Sequence, residues 1–146
     1  MTQLDFWQLS RDPVERVVAL IAERTRGAGE KLLVVAKGPE QRAAMSRALW
    51  ETNPEAFLAN GDASDPHAAR QPILLSPNCE PENGAGYLVL ADGDWRDGAE
   101  PFERVFLLFG EAGAEAARGI WRKFDGREDV QRSYYAQEDG KWVKKA

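Results

Sequence analysis

"KLLVVAKGPEQRAAMSRALWET", residues 31–52, decides the fold class of this chain. After Lys31, "KLLVVA" (31–36) is apolar without alternation, as expected of a strand covered on both faces. "PEQRAAMSRALWET" (39–52) then switches to helical spacing, setting Ala44, Met45, Ala48 and Leu49 on one side. It stops before Asn53-Pro54, because a residue preceding proline avoids helical backbone. A doubly covered strand followed directly by an amphipathic helix is the repeating unit of a parallel sheet.

The flanking sequence extends that unit. "LDFWQL" (4–9) reads as a first strand, and "SRDPVERVVALIAERTRGAG" carries a helix with Asp12 as cap, Pro13 at its first position and Glu15 in its first turn. Val14, Val17, Val18 and Ile21 recur at helical spacing, and Gly27 and Gly29 end the run. The segment "NPEAFLANGDASDPHAARQ" is rich in Pro, Gly, Asp and Asn and is expected to be mostly loop. "PILLS" (72–76), "GYLVLA" (86–91) and "RVFLLF" (104–109) read as strands. A helix over 111–124 follows, and "VQRSYYAQ" and "GKWVKK" close the chain in extended form. The expectation is one α/β domain over residues 1–146. It is a Rossmann-like three-layer α/β/α arrangement with a mainly parallel sheet, antiparallel strand at its edge and no phosphate-binding loop.

Composition narrows the chemistry. With one cysteine, Cys79, and one histidine, His67, the chain lacks the ligands for common zinc sites and for histidine-based triads, and both residues are read as incidental loop positions. The turn "AKGPEQR" contains neither G-x-x-x-x-G-K-[ST] nor G-x-G-x-x-G, so Lys37 and Gly38 are read as a strand end and a helix start. "YLVLADGDW" resembles a magnesium-binding strand end, but Asp92 and Asp94 have no phosphate loop to work with and read better as a polar turn. No metal, cofactor or catalytic residue is expected. No signal-like or membrane-spanning segment is visible, which points to a cytoplasmic protein. The formal net charge is −5, yet residues 118–146 carry eight positive against five negative side chains, a local +3 on a body of −8. That polarity suits an acidic partner met at one end of the molecule.

The late helix is where the charge reverses. At 100° per residue, Ala117, Ile120 and Phe124 form a buried stripe, Trp121 lies at its edge, and Arg118 and Arg122 come next on the same side. Guanidinium groups around an indole can hold a peptide carboxylate beside an apolar side chain. The plainer reading is a helix flank in which Trp121 is core and Glu115 pairs with Arg118. Earlier in the chain, Phe57 and Leu58 follow a helix stop as either a surface anchor or a satellite cluster beneath the loop.

"DFWQL", "KLLVVA", "RALWETNPEAFLANG", "AARGIWRKF" and "YYAQEDGKWVKK" together resemble the chi subunit family of bacterial DNA polymerase III over essentially the whole chain. The resemblance implies a noncatalytic clamp-loader accessory without a nucleotide site. It would bind the acidic C-terminal tail of single-stranded-DNA-binding protein (SSB), which ends in phenylalanine, and separately a psi subunit or another protein using the same surface. DNA would be contacted indirectly, through SSB. The family's tail-binding positions fall on Arg118, Trp121 and Arg122. A further basic position falls on Ala114, leaving Lys123 or Arg127 to supply that charge, and the apolar wall falls near Leu107 and Leu108. The psi-facing aromatic falls on Phe57, with Leu58 beside it. Two other functions fit the sheet less well: a nucleotide-dependent enzyme or sensor, which lacks its phosphate loop, and direct binding of single-stranded DNA by the tryptophans and basic tail.

Overall fold

The computed structural model describes residues 2–146. Eight strands and three α-helices follow one another as β1 (Thr2–Gln8), α1 (Val14–Gly27), β2 (Leu32–Val35), α2 (Pro39–Glu51), β3 (Asn60–Asp62), β4 (Ile73–Ser76), β5 (Tyr87–Leu90), β6 (Arg104–Phe109), α3 (Ala114–Lys123), β7 (Val130–Glu138) and β8 (Lys141–Lys144). All eight strands join one sheet in the order β3-β4-β2-β5-β6-β1-β7-β8. Every neighbouring pair is parallel except β7–β8, an antiparallel hairpin at the edge. This is the expected three-layer α/β class with an antiparallel edge.

Period-two alternation sends successive side chains to opposite layers. On one face, α1 and α2 set Val17, Val18, Ile21, Met45 and Leu49 against Trp7, Leu32, Val34, Phe106 and Leu108. On the other, α3 and the loops before it set Ala99, Phe102, Ala114, Ala117 and Phe124 against Leu4, Phe6, Leu33, Leu88 and Leu107. The strands of "KLLVVA" and "RVFLLF" are therefore apolar throughout because both of their faces are buried.

One charge lies inside this sheet. Asp5 is fully buried, and its Oδ2 accepts from Arg104 Nε at 3.0 Å and Nη2 at 2.8 Å. The pairing satisfies a carboxylate that would be very costly to bury alone.

One local expectation is refined and one corrected. The segment after α2 is mostly loop, as expected, but it contains β3, which forms the sheet edge although "NGD" has no strand propensity. It is held from α2, where Ser46 donates to Asn60 Oδ1 at 2.6 Å and Arg42 Nε pairs with Asp62 Oδ1 at 2.9 Å. Asp12 does not cap α1. Pro13 occupies the cap position, with no side-chain capping bond. Asp12 Oδ2 instead accepts from Gln137 Nε2 at 2.8 Å, and Gln137 Oε1 accepts from the backbone N–H groups of Ser10, Arg11 and Asp12 at 3.0–3.2 Å. A buried side chain more than 120 residues away thus satisfies the turn that leads into α1, while the first N–H groups of the helix itself receive no side-chain cap.

Gln137→Ala leaves three backbone donors without that acceptor. It is expected to destabilise the fold by about 2 kcal/mol, measured by urea unfolding, with faster amide exchange at residues 10–12.

Candidate protein-binding surface

Gly110 leaves β6 in extended conformation, a short turn over Glu111–Gly113 follows, and α3 then runs to Lys123. Beyond Phe124, the tight turn requires Gly126 at a left-handed φ of 76°. Because β1 lies between β6 and β7, the β6–α3–β7 connection crosses over β1, and α3 settles above Phe6.

That placement draws Trp121 further in than the edge position expected of it. Its ring meets Phe6 edge-on at 5.2 Å and Tyr134 at 6.1 Å, and it packs against the α3-side core while remaining partly accessible. Arg118 and Arg122 are exposed on the same helix, and neither forms an ion pair among the described residues. In particular, no Glu115–Arg118 pair forms, so the helix-flank reading loses its salt bridge. Tyr134 donates its hydroxyl to Gln8 Oε1. Burial raises the Tyr134 phenol above its ordinary value of 10.0, and the Arg118 charge pulls it partly back, which puts Arg118 beside this aromatic group.

The other expected residues lie elsewhere. Lys123 turns away from Trp121: it pairs with Asp97 at 2.9 Å and lies 5.9 Å from the Trp95 ring centroid. Arg127 is held by Asp129 at 2.8 Å and Glu100 at 3.2 Å, over the Phe124 ring. Its guanidinium depresses the Asp129 carboxyl to about 2. Neither cation is positioned to replace a basic group near Trp121. Ala114 itself is buried against the sheet, where a charge would have to be desolvated.

Strand alternation also separates Leu107 from Leu108. Leu107 lies in the α3-side core and Leu108 in the α1–α2 core, so Leu108 cannot form part of a wall beside Trp121. Phe57 and Leu58 diverge similarly. Phe57 is 80% exposed on a left-handed backbone with φ 50°, whereas Leu58 is buried beneath it in the α1–α2 core. Leu58 supports this surface rather than displaying it. Trp50, at the end of α2, is 48% exposed and joins Phe57 as an exposed large apolar side chain.

Arg132 and Tyr134 belong to the surface but were not assigned to it from the sequence. They stand two residues apart on the α3-facing side of β7, and Arg132 lies 4.5 Å from the Trp121 ring centroid. The alternation in "VQRSYY" could have placed them on one face. What it could not show is that β7 pairs with β1, directly beneath α3.

The cleft beyond the strand ends has a different character. Its volume is about 710 Å³, and its charged lining residues are Asp12, Asp92, Asp94 and Glu111, a poor environment for phosphate. Burial alone would raise the Asp92 carboxyl. Hydrogen bonds from Arg96 and from the N–H groups of Lys37 and Asp94 outweigh it and leave a net depression, as suits the polar-turn reading. His67 is exposed in a turn, and burial raises the half-buried Cys79 thiol. Among the described residues, no cluster of three metal-ligating side chains occurs, and no helix is long and apolar enough to cross a membrane.

Fold and site together define a doubly covered α/β domain whose unpaired cations and accessible aromatics lie on its outer helix and flanks. Residues 1–129 match the model of the family described as DNA polymerase III chi subunit, HolC, and the chain belongs to that family. It is also similar to a Rickettsia prowazekii (strain Madrid E) protein named "Probable DNA polymerase III subunit chi". The two are 22% identical over 90 residues, 62% of this chain and 54% of the relative, so the chain spans about half the length of that curated relative. The family match ends before β7, the strand that carries Arg132 and Tyr134.

Arg118→Ala removes the positive charge that favours the Tyr134 phenolate. The Tyr134 titration is expected to move further upward, read by ultraviolet absorbance against a Tyr134→Phe control.

Proposed function

We propose that this chain is a noncatalytic accessory subunit of the DNA polymerase III clamp-loader assembly that binds the acidic C-terminal tail of SSB. Membership of the chi family supports a replication accessory role. The observation that carries the finer reading is the juxtaposition of a partly accessible Trp121 with Arg118 and Arg122, two exposed arginines that form no ion pair among the described residues of an acidic protein. The indole offers contact area to the terminal phenyl ring, and the guanidinium groups attract the negative charge of the tail. DNA is reached through SSB, so SSB-coated strands recruit the polymerase assembly without a basic DNA-binding face on this subunit.

Ordering a disordered tail opposes binding, so the expected affinity is micromolar, about 8 kcal/mol, and it falls as salt screens the charges. In calorimetry with a synthetic SSB tail, Trp121→Ala and Arg122→Ala are each expected to lose roughly 2 kcal/mol. Removal of the last phenylalanine from the peptide should abolish most of the binding. Unchanged affinity in a folded Trp121→Ala, Arg122→Ala double variant would rule out this site.

Phe57 anchors a second, separate protein contact, to a psi subunit or another protein using that face. Its support is the pair of exposed apolar side chains Trp50 and Phe57 at the end of α2. Phe57→Ala should leave tail affinity unchanged while weakening capture of that partner by about tenfold or more, the usual effect of removing an aromatic anchor. Full retention of every partner in a quantitative pull-down would exclude the contact.

A further inference from the structure

Ala114, at the start of α3, is buried, and the nearby cations Lys123 and Arg127 are held by carboxylates. Arg132 comes from a different element and from a distance in sequence. Its guanidinium lies over the Trp121 ring at 4.5 Å, and its Nη1 group donates to the Trp121 carbonyl and to Asp125 Oδ1 at 2.8 Å. Those two bonds use both Nη1 protons. Nε and Nη2 carry three more N–H groups, and none of them is hydrogen-bonded among the described residues.

The side chain is therefore fixed at one end and open at the other. The Trp121 carbonyl lies at the C-terminal end of α3, where the helix dipole favours a cation, and the indole face adds a cation–π attraction. Nε and Nη2 together form the edge of a guanidinium that matches a carboxylate bidentately. Asp125 competes only for Nη1, and its side chain is 63% exposed, so it lowers the net charge of the group without covering that edge. Tyr134 stands two residues along β7 on the same face, against the Trp121 ring, and feels the Arg118 charge.

We infer that Arg132 is the specificity-determining residue for the free C-terminal carboxylate of a peptide whose last side chain is aromatic, with that side chain against Trp121 and the carboxylate on Arg132 Nε and Nη2. This assignment rests on the tail-binding reading above and deepens it. Arg118 and Arg122 then meet acidic side chains upstream in the peptide, which a freely rotating exposed arginine suffices to attract. Arg132 recognises the chain end, which requires a guanidinium held in one orientation before the peptide arrives.

The test uses the full chain and two synthetic SSB tail peptides that differ only at the C-terminus, one a free acid and one an amide. Wild type is expected to prefer the acid by about tenfold or more, the scale of a charge-assisted bidentate contact. Arg132→Gln should reduce that preference to about threefold or less, and Arg132→Lys should fall between, because an ammonium keeps the charge and loses the fork. Arg122→Ala should weaken both peptides while leaving the ratio at its wild-type value. Asp125→Asn, a change at an exposed side chain, should increase the preference by about twofold by removing a competing charge. If Arg132→Gln keeps the wild-type ratio, or Asp125→Asn leaves it unmoved, the assignment to Arg132 is overturned while tail binding stands. If wild type binds neither peptide, the tail-binding reading fails first and takes the assignment with it.

Discussion

Everything distinctive about this domain depends on the insertion of β1 between β6 and β7. Adjacent strands lie about 4.8 Å apart, so a connection that skips one strand spans about 10 Å, close to the width of a helix. α3 fills that span and lies over β1, which is why Trp121 rests on Phe6 and why β7 runs alongside the helix. Were β7 paired elsewhere, Arg132 and Tyr134 would not share a surface with Arg118 and Trp121.

The same insertion ties the two ends of the chain together. Gln137 on β7 receives the N–H groups of residues 10–12 as the chain leaves β1 for α1. A single strand pairing thus positions the outer helix on one face and steadies the entry to α1 on the other. The hairpin closing the sheet leaves β8 at the edge with Lys141 and Lys144 exposed, a charged border that discourages pairing with another chain.

The charge distribution follows from the same geometry. Of the eight positive side chains in residues 118–146, Lys123, Arg127 and Lys145 are paired with carboxylates, and Arg132 is paired through Nη1 alone. Only some members of this local excess of positive charge are free to act on a partner. Arg118 and Arg122 are exposed and form no ion pair among the described residues. Meanwhile the strand-end cleft, where α/β sheets commonly bind ligands, is occupied by carboxylates and by the Asp92–Arg96 turn.

The sequence by itself determined the layers. The unbroken apolar strands at 32–35 and 104–109, the helical periodicity of α1 and α2, and the absence of a phosphate loop are local patterns, set by how far each segment must be buried. It also marked Arg118, Trp121 and Arg122 as one face of one helix, because helical spacing is a local property. Only the tertiary structure decided which strand neighbours which, and with that came β3 at the edge, Gln137 as the acceptor for the N–H groups of residues 10–12, and the layer that Leu108 enters, although strand alternation already set it opposite Leu107. It likewise separated exposed Phe57 from buried Leu58, turned Lys123 and Arg127 away, and brought Arg132 over Trp121. These outcomes depend on contacts between distant segments, and no pattern within a single segment encodes them.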